Sequence, residues 1–392
     1  MIPAARVQAA IEIVDEVIRA ASEGGAAADT IVSRYFKTRR YAGSKDRRAI
    51  RELVFQAIRA FAEPISGRAA LIGLAAEEPA LAALFDGSAH GPAPIDSGER
   101  GAERAIVPAW LRPLFDPLVG ESELAALLER APLDARVNRL RGTSEEARER
   151  LPKGEPTPHS PIGLRLPEGF NLIEHEVWQS GLVEVQDEGS QLLCLGCEAK
   201  PGTLAIDLCA GAGGKTLALA AEMANSGRIV ASDTDRGRLA KMQPRLDRAG
   251  VTIAETRLLD PGKEAAALAD LAGQADLVFV DAPCSGTGTW RRNPETRWRV
   301  TPDRLDRLVK LQAQLLDLAA NLVKPGGQLA YAVCSLLSRE GREQAVAFER
   351  RSSLVSERHP MPAGRAAGPG RLLTPGHDGT DGFFVARWRR PC

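Results

Sequence analysis

The 392-residue chain reads as an α/β protein, with a mostly parallel, doubly wound sheet in its C-terminal half behind a small α+β unit and an all-α N-terminal unit. Three observations carry that expectation. Residues 1–85 place apolar side chains at helical spacing and contain no strand-like run. From residue 203 onward, short apolar runs alternate with loops and amphipathic segments. Two of those runs end in Cys-Ser, at Cys284-Ser285 and Cys334-Ser335, which is where an open α/β sheet keeps its sites.

Length and composition bound the answer. A chain this long with 44% hydrophobic residues is expected to build two or three domains. Lys+Arg and Asp+Glu are both 51, so only local charge can argue for a polyanionic partner. Glu12, Asp15 and Glu16 interrupt the apolar residues near the N-terminus, which excludes a secretory pattern, and no apolar run reaches membrane-spanning length. Six sparse cysteines without a disulfide framework fit a reducing compartment, and a cytoplasmic location is expected.

In order along the chain, Val7, Ala10, Ile11, Val14, Val17 and Ile18 share one helical face, and Ile50, Leu53, Val54, Ala57, Ile58 and Phe61 share another. Between Arg34 and Arg59 lie nine basic residues, Arg39, Arg40, Lys45, Arg47 and Arg48 among them, against two acidic ones. That patch reads either as a solvated helix face or as a phosphate-contacting surface. Residues 86–106 are rich in Gly, Pro, Ser and Asp and are expected to be a linker. Helices at 121–129 and 144–150 around a strand at 136–140 predict a small α+β unit over 107–180, leaving 181–392 for the larger domain. Cys194 and Cys197 form a CxxC on a helix. A zinc site needs a second ligand pair, so these read as core thiols.

Strands are predicted at 203–208, 228–232, 252–258, 276–280, 328–333 and 383–388, with helices near 215–225, 236–249, 263–272 and 303–323. The first of these strands runs into Asp207-Leu-Cys-Ala-Gly-Ala-Gly-Gly-Lys-Thr216. A Walker A loop would need Gly where Cys209 stands, and a dinucleotide fingerprint would need Gly where Thr216 stands. An acidic strand end before a glycine-rich turn suits instead a cationic, amino-acid-bearing nucleoside such as S-adenosylmethionine. Asp233, ending the next strand, is placed either to accept ribose hydroxyls or to cap the following helix, a task open also to Asp235.

These residues resemble the RsmB/Sun (Fmu) type of bacterial ribosomal RNA cytosine-C5 methyltransferases. The resemblance rests on Val185-Gln-Asp-Glu-Gly-Ser-Gln191, Asp207 to Thr216, Asp281-Ala-Pro-Cys284 with Arg291-Arg-Asn-Pro-Glu295, Tyr331 to Ser335, and Asp381-Gly-Phe-Phe384, in that order. It implies a Rossmann-like class I methyltransferase domain, a small N-terminal extension of the catalytic core, and a NusB-like RNA-binding domain before it. It implies S-adenosylmethionine held by Cys209, Ala210, Gly211, Ala212, Gly213, Gly214, Lys215, Asp233, Asp260 and Asp281, with Asp260 near the adenine. By the same resemblance Cys334 attacks C6 of cytosine, Cys284 assists product release, and Asp281 contacts the N3/N4 edge of the base. Two positions depart from the family pattern: Gly211-Ala212 stand where Ala-Pro is usual, and Val333 stands where Thr is usual.

The basic run from Arg291 to Lys310, with Arg291, Arg292, Arg297 and the aromatic Trp290 and Trp298, suits contacts to an RNA backbone and an unstacked base. The expected partner is RNA, small-subunit ribosomal RNA above all, with a monomeric enzyme, no metal and no membrane. Methyl transfer to transfer RNA or to protein, and a non-catalytic RNA-binding assembly factor that keeps the cofactor pocket, are the competing readings.

Overall fold

The computed structural model describes every residue except Ile65. The chain divides into two units, the first comprising Met1–Phe115, Leu124–Glu129 and Thr289–Arg304, and the second Asp116–Glu123, Arg130–Gly288 and Leu305–Cys392.

The first unit is helical, with its principal helices at Pro3–Glu23, Ala28–Thr38, Ser44–Ala60 and Gly67–Ala75. Val7, Ala10, Ile11, Val14 and Val17 of the first helix are buried with Ile31, Ile50, Val54, Ile58 and Leu71 in one core. Each of the Val, Ile and Leu side chains among them contributes roughly 1.5–3 kcal/mol by leaving water. Gly67 permits a close helix crossing, since a Cβ there would lie 2.3 Å from the Ile11 carbonyl oxygen. Residues 86–106, expected as a linker, carry no helix or strand but lie along this unit. The Ala102 N–H donates to the Ala69 carbonyl at 2.8 Å and the Ala105 N–H to Ala60 at 3.1 Å.

The second unit contains two sheets. The smaller is antiparallel, in the order β2-β3-β1-β4, from β1 (Leu133–Val137), β2 (Glu155–Pro156), β3 (Gly163–Leu166) and β4 (Val183–Val185). Its first strand ends earlier than expected because Asn138 turns the chain and donates to the Gly181 and Ala249 carbonyls. The larger sheet holds β5 (Thr203–Leu208), β6 (Gly227–Asp233), β7 (Ala254–Leu258), β8 (Ala275–Asp281), β9 (Val323–Val333), β10 (Val355–Glu357), β11 (Arg365–Ala367), β12 (Gly370–Leu373) and β13 (Phe383–Arg389). Its order is β11-β12-β13-β9-β8-β5-β6-β7, with β10 paired to β13.

The five strands β7, β6, β5, β8 and β9 run parallel, and β13 joins β9 antiparallel. The chain winds outward from β5 to β7 and then returns to β8 beside β5. The winding therefore reverses between β5 and β8, and a crevice opens at their C-terminal ends. Register pairs Leu208 with both Ser232 and Val280. The next residue along each strand brings Cys209, Asp233 and Asp281 into one row at that crevice.

The helix Glu188–Leu195 begins at Asp187, whose carboxylate accepts the Gly189 and Ser190 N–H groups and, on its other oxygen, the Asp381 N–H at 3.1 Å. Gly382 then lies against Gly288, where a Cβ on Gly288 would meet the Gly382 carbonyl oxygen at 2.0 Å. Cys194 is on this helix, while Cys197 falls just beyond its end. Burial pushes the Cys194 thiol up to about 12 and Cys197 up as well, as expected of inert core thiols. No helix among the described residues is long and apolar enough to cross a membrane.

Candidate active site

The glycine-rich turn leaves β5 through Cys209, held at φ 73°, and passes Gly211 at φ 58° and Gly213 at φ 85° before the helix Gly214–Glu222 starts. The two glycines adopt that conformation without strain, whereas Cys209 bears the cost of left-handed backbone, about 1–2 kcal/mol for an L-residue. Asp233 fixes the turn: its Oδ2 accepts the Gly211 N–H at 2.8 Å and lies 3.7 Å from the Arg238 guanidinium, while Oδ1 accepts the Asp235 N–H at 2.8 Å. Asp235 is the cap of the helix Arg236–Leu239, accepting the Arg238 N–H at 3.0 Å. That leaves Asp233 to face the crevice.

The Gly211-Ala212 departure has a physical counterpart. A Cβ on Gly211 would come within 2.2 Å of the Arg238 guanidinium, so glycine here lets Arg238 lie over the loop. Arg245 holds the other side, donating to the Ala212 carbonyl at 2.8 Å. Beneath the turn, Asp207 is fully buried and accepts the Thr216 hydroxyl at 2.6 Å. Burial pushes its carboxyl up to about 6, against the opposing pull of that hydrogen bond.

At the ends of β8 and β9 the expected residues converge. The Lys215 ammonium lies 2.6 Å from Asp281 Oδ2. Burial is the largest single influence and disfavours that ammonium, but the Asp281 charge and hydrogen bond together with the nearby Cys194 and Cys334 outweigh it, and the Lys215 pKa rises. The sulfurs of Cys284 and Cys334 are 3.3 Å apart, both half-buried. Contact with Cys334 and burial together hold Cys284 well above the usual thiol range, so Cys284 is a thiol at neutral pH.

A cavity of about 310 Å³ runs from the first group to the second, lined among others by Cys209, Asp233, Arg238, Glu264, Asp281, Pro283, Cys284 and Cys334. Its walls carry four carboxylates, Asp233, Asp235, Glu264 and Asp281, against the single guanidinium of Arg238. That excess of negative charge beside glycine-supported backbone fits a cationic nucleoside cofactor.

Asp260, the further carboxylate expected here, directly follows Leu259, which lines the cavity. The Leu259 N–H bonds the Asp233 carbonyl at 2.9 Å and the Leu259 side chain turns inward, so Asp260 is exposed, and Glu264 supplies a carboxylate at that end of the cavity.

Of the RNA contacts expected at 291–298, those of Arg291 and Arg297 are corrected by their burial. Arg291, Arg297 and Trp290 are buried in the helical unit. Arg297 donates to the Ile58, Arg59 and Phe61 carbonyls, closing the C-terminus of the helix Ser44–Ala60, and to Ile106 at 2.7 Å. The Trp298 indole N–H donates to Phe61 at 2.9 Å, and Trp290 packs edge-on against Phe115. These groups serve the fold, and Arg292 beside them is half-buried. By contrast Arg40, Lys45, Arg47 and Arg48 are exposed and Arg39 half-exposed, with its guanidinium 3.7 Å over the Tyr35 ring.

A match to the family model of 16S rRNA methyltransferase RsmB/F covers residues 195–389. Ribosomal RNA small subunit methyltransferase B of Xanthomonas campestris is 35% identical over 295 residues, covering 73% of this chain and 67% of that protein. The chain belongs to the RsmB/F family. The enzyme of the same name from an Enterobacter species is 33% identical over 292 residues, covering 73% and 67%. Among solved structures, a methyltransferase homolog protein from Pyrococcus horikoshii superposes with a TM-score of 0.61 at 28% identity, covering 69% of this chain and 90% of that one. The RsmB/F domain is an S-adenosylmethionine-dependent methyltransferase, and the acidic cavity at the β5/β8 crevice suits that cofactor.

Proposed function

We propose that this chain methylates C5 of a cytosine in small-subunit ribosomal RNA, in the cytoplasm, through a covalent adduct on Cys334. The observation that carries the proposal is the 3.3 Å approach of two half-buried thiols from adjacent strand ends, beside a cavity acidic enough for a sulfonium nucleoside. C5 of cytosine is a weak nucleophile, and addition of the Cys334 thiolate to C6 moves an electron pair onto C5. Asp281, tethered by Lys215, accepts from the base edge and favours the ring form that takes the thiolate. S-adenosylmethionine, when bound, supplies the electrophilic methyl group that C5 takes. Water takes the C5 proton, the C5–H electron pair re-forms the C5=C6 bond, and the C6–sulfur pair leaves with the Cys334 sulfur, restoring the ring. Cys284, protonated at neutral pH, donates to the departing Cys334 sulfur.

Arg39, Arg40, Lys45, Arg47 and Arg48 are the proposed RNA-contacting face of a NusB-like unit. The acid within the patch, Asp46, is buried and bonded to Arg6 at 2.8 Å and to the Gly43 N–H at 3.2 Å, so it does little to neutralise that face. Release of tritium from 5-labelled cytosine in small-subunit RNA is the direct test, since only C5 chemistry expels that hydrogen. Release from transfer RNA alone, or from neither RNA, would overturn the substrate or the reaction respectively.

A further inference from the structure

Glu340 is fully buried, lies six residues beyond Cys334, and plays no part in the chemistry above. Four donors converge on its carboxylate. Oε1 accepts the Ser285 backbone N–H at 2.9 Å and the Gln312 amide at 2.9 Å; Oε2 accepts the Ser335 hydroxyl at 2.6 Å and the Ser285 hydroxyl. Ser285 and Ser335 directly follow Cys284 and Cys334. The same Gln312 amide donates to the Pro283 carbonyl at 2.9 Å, and the Glu340 carbonyl accepts the Tyr331 hydroxyl at 2.7 Å. The serine hydroxyls also lie 3.2 Å from each other. One side chain thus ties the loop after β8 to the loop after β9, one residue from each thiol.

A buried carboxylate is costly to desolvate, and an apolar side chain of similar volume would fill the same space with less penalty. What the acid supplies is direction: four hydrogen bonds that fix two loops against each other. We propose that Glu340 is a positioning residue, its carboxylate setting the separation and orientation of the Cys284 and Cys334 thiols through Ser285 and Ser335. The proposal rests on the two-thiol reading. The Glu340 charge also stands among the groups, after contact with Cys334 and burial, that keep Cys284 protonated.

The test is Glu340→Gln in the full chain, isosteric but short of one acceptor oxygen. The expected result is a kcat about tenfold to a hundredfold lower, with the KM for S-adenosylmethionine within about twofold of the parent and an unchanged far-ultraviolet spectrum. A second readout needs no turnover. In a Cys334→Ser background, the pH profile of Cys284 alkylation by iodoacetamide, followed by peptide mass spectrometry, shifts to lower pH when Glu340 becomes Gln. An unchanged kcat, or a kcat loss accompanied by collapse of cofactor binding, overturns the proposal. Should Glu340→Gln fail to fold, Ser335→Ala removes one donor from the same carboxylate and must lower kcat at constant KM; no change there is equally fatal. Failure of the two-thiol reading would show separately, as an active Cys334→Ala enzyme, and the alkylation profile would still judge Glu340.

Discussion

Lys215 Nζ lies 2.6 Å from Asp281 Oδ2, joining the first helix after the glycine-rich turn to the end of β8. The pair is mostly enclosed, so each charge depends on the other. Lys215→Met leaves the Asp281 carboxylate half-buried without its cation. The expected loss is about 2 kcal/mol of stability in urea unfolding, together with weaker cofactor binding by calorimetry. An unchanged midpoint would show that water replaces the ammonium without cost.

Gly211 is coupled to Arg238. Gly211→Ala adds left-handed strain of about 1 kcal/mol and drives a methyl group into the guanidinium. Cofactor affinity is expected to fall about tenfold. Adding Arg238→Ala should restore part of that loss by removing the clash, with the strain remaining. A strictly additive double mutant, measured by calorimetry, would contradict the coupling.

His359 gives stability a pH dependence. Burial, followed by the nearby Arg387 charge, pulls its imidazole down from 6.5 to about 4. Between those values the unfolded chain binds a proton that the folded chain refuses. The stabilisation is therefore complete above pH 6.5 and is lost as pH falls toward 4, by about 3 kcal/mol in all. His359→Phe is expected to flatten this part of the urea-midpoint profile, and an unaltered slope would place its origin elsewhere.

The exposed basic face of the helical unit makes a salt-dependent forecast. Arg47→Ala combined with Arg48→Ala should lower RNA affinity and reduce the slope of log K against log salt by about 2. Both side chains are exposed, though Arg47 also donates to the Ala42 carbonyl at 2.8 Å, so the thermal midpoint is expected to fall only slightly. An unchanged slope would return the patch to a solvated surface.

The parallel strands β5, β6, β8 and β9 were legible because most of each is covered on both faces and reads as an apolar run; the strand over 203–208 falls where β5 does. The short β10, β11 and β12 were not. They have three or four residues each, amid Gly, Pro and Arg, and acquire strand geometry only by pairing with a neighbour. The basic and aromatic run at 291–299 misled for a related reason. Arginine and tryptophan suit RNA, but they equally suit a helix C-terminus, and the carbonyls that Arg297 satisfies at Ile58, Arg59 and Phe61 lie more than 230 positions away in sequence. Glu340 sits between Arg339 and Gly341-Arg342, which resembles a solvated turn, and only the two folded loops reveal its four donors.

The two thiols carry the central claim, and covalent trapping tests it most directly. Cys334→Ala and Cys284→Ala enzymes are incubated with S-adenosylmethionine and small-subunit ribosomal RNA, then denatured and resolved by gel. Cys334→Ala should give neither methylated RNA nor adduct, while Cys284→Ala should accumulate a denaturation-resistant protein–RNA complex. Methylation by Cys334→Ala, or an adduct that survives its removal, would contradict the assignment of Cys334 as the attacking residue.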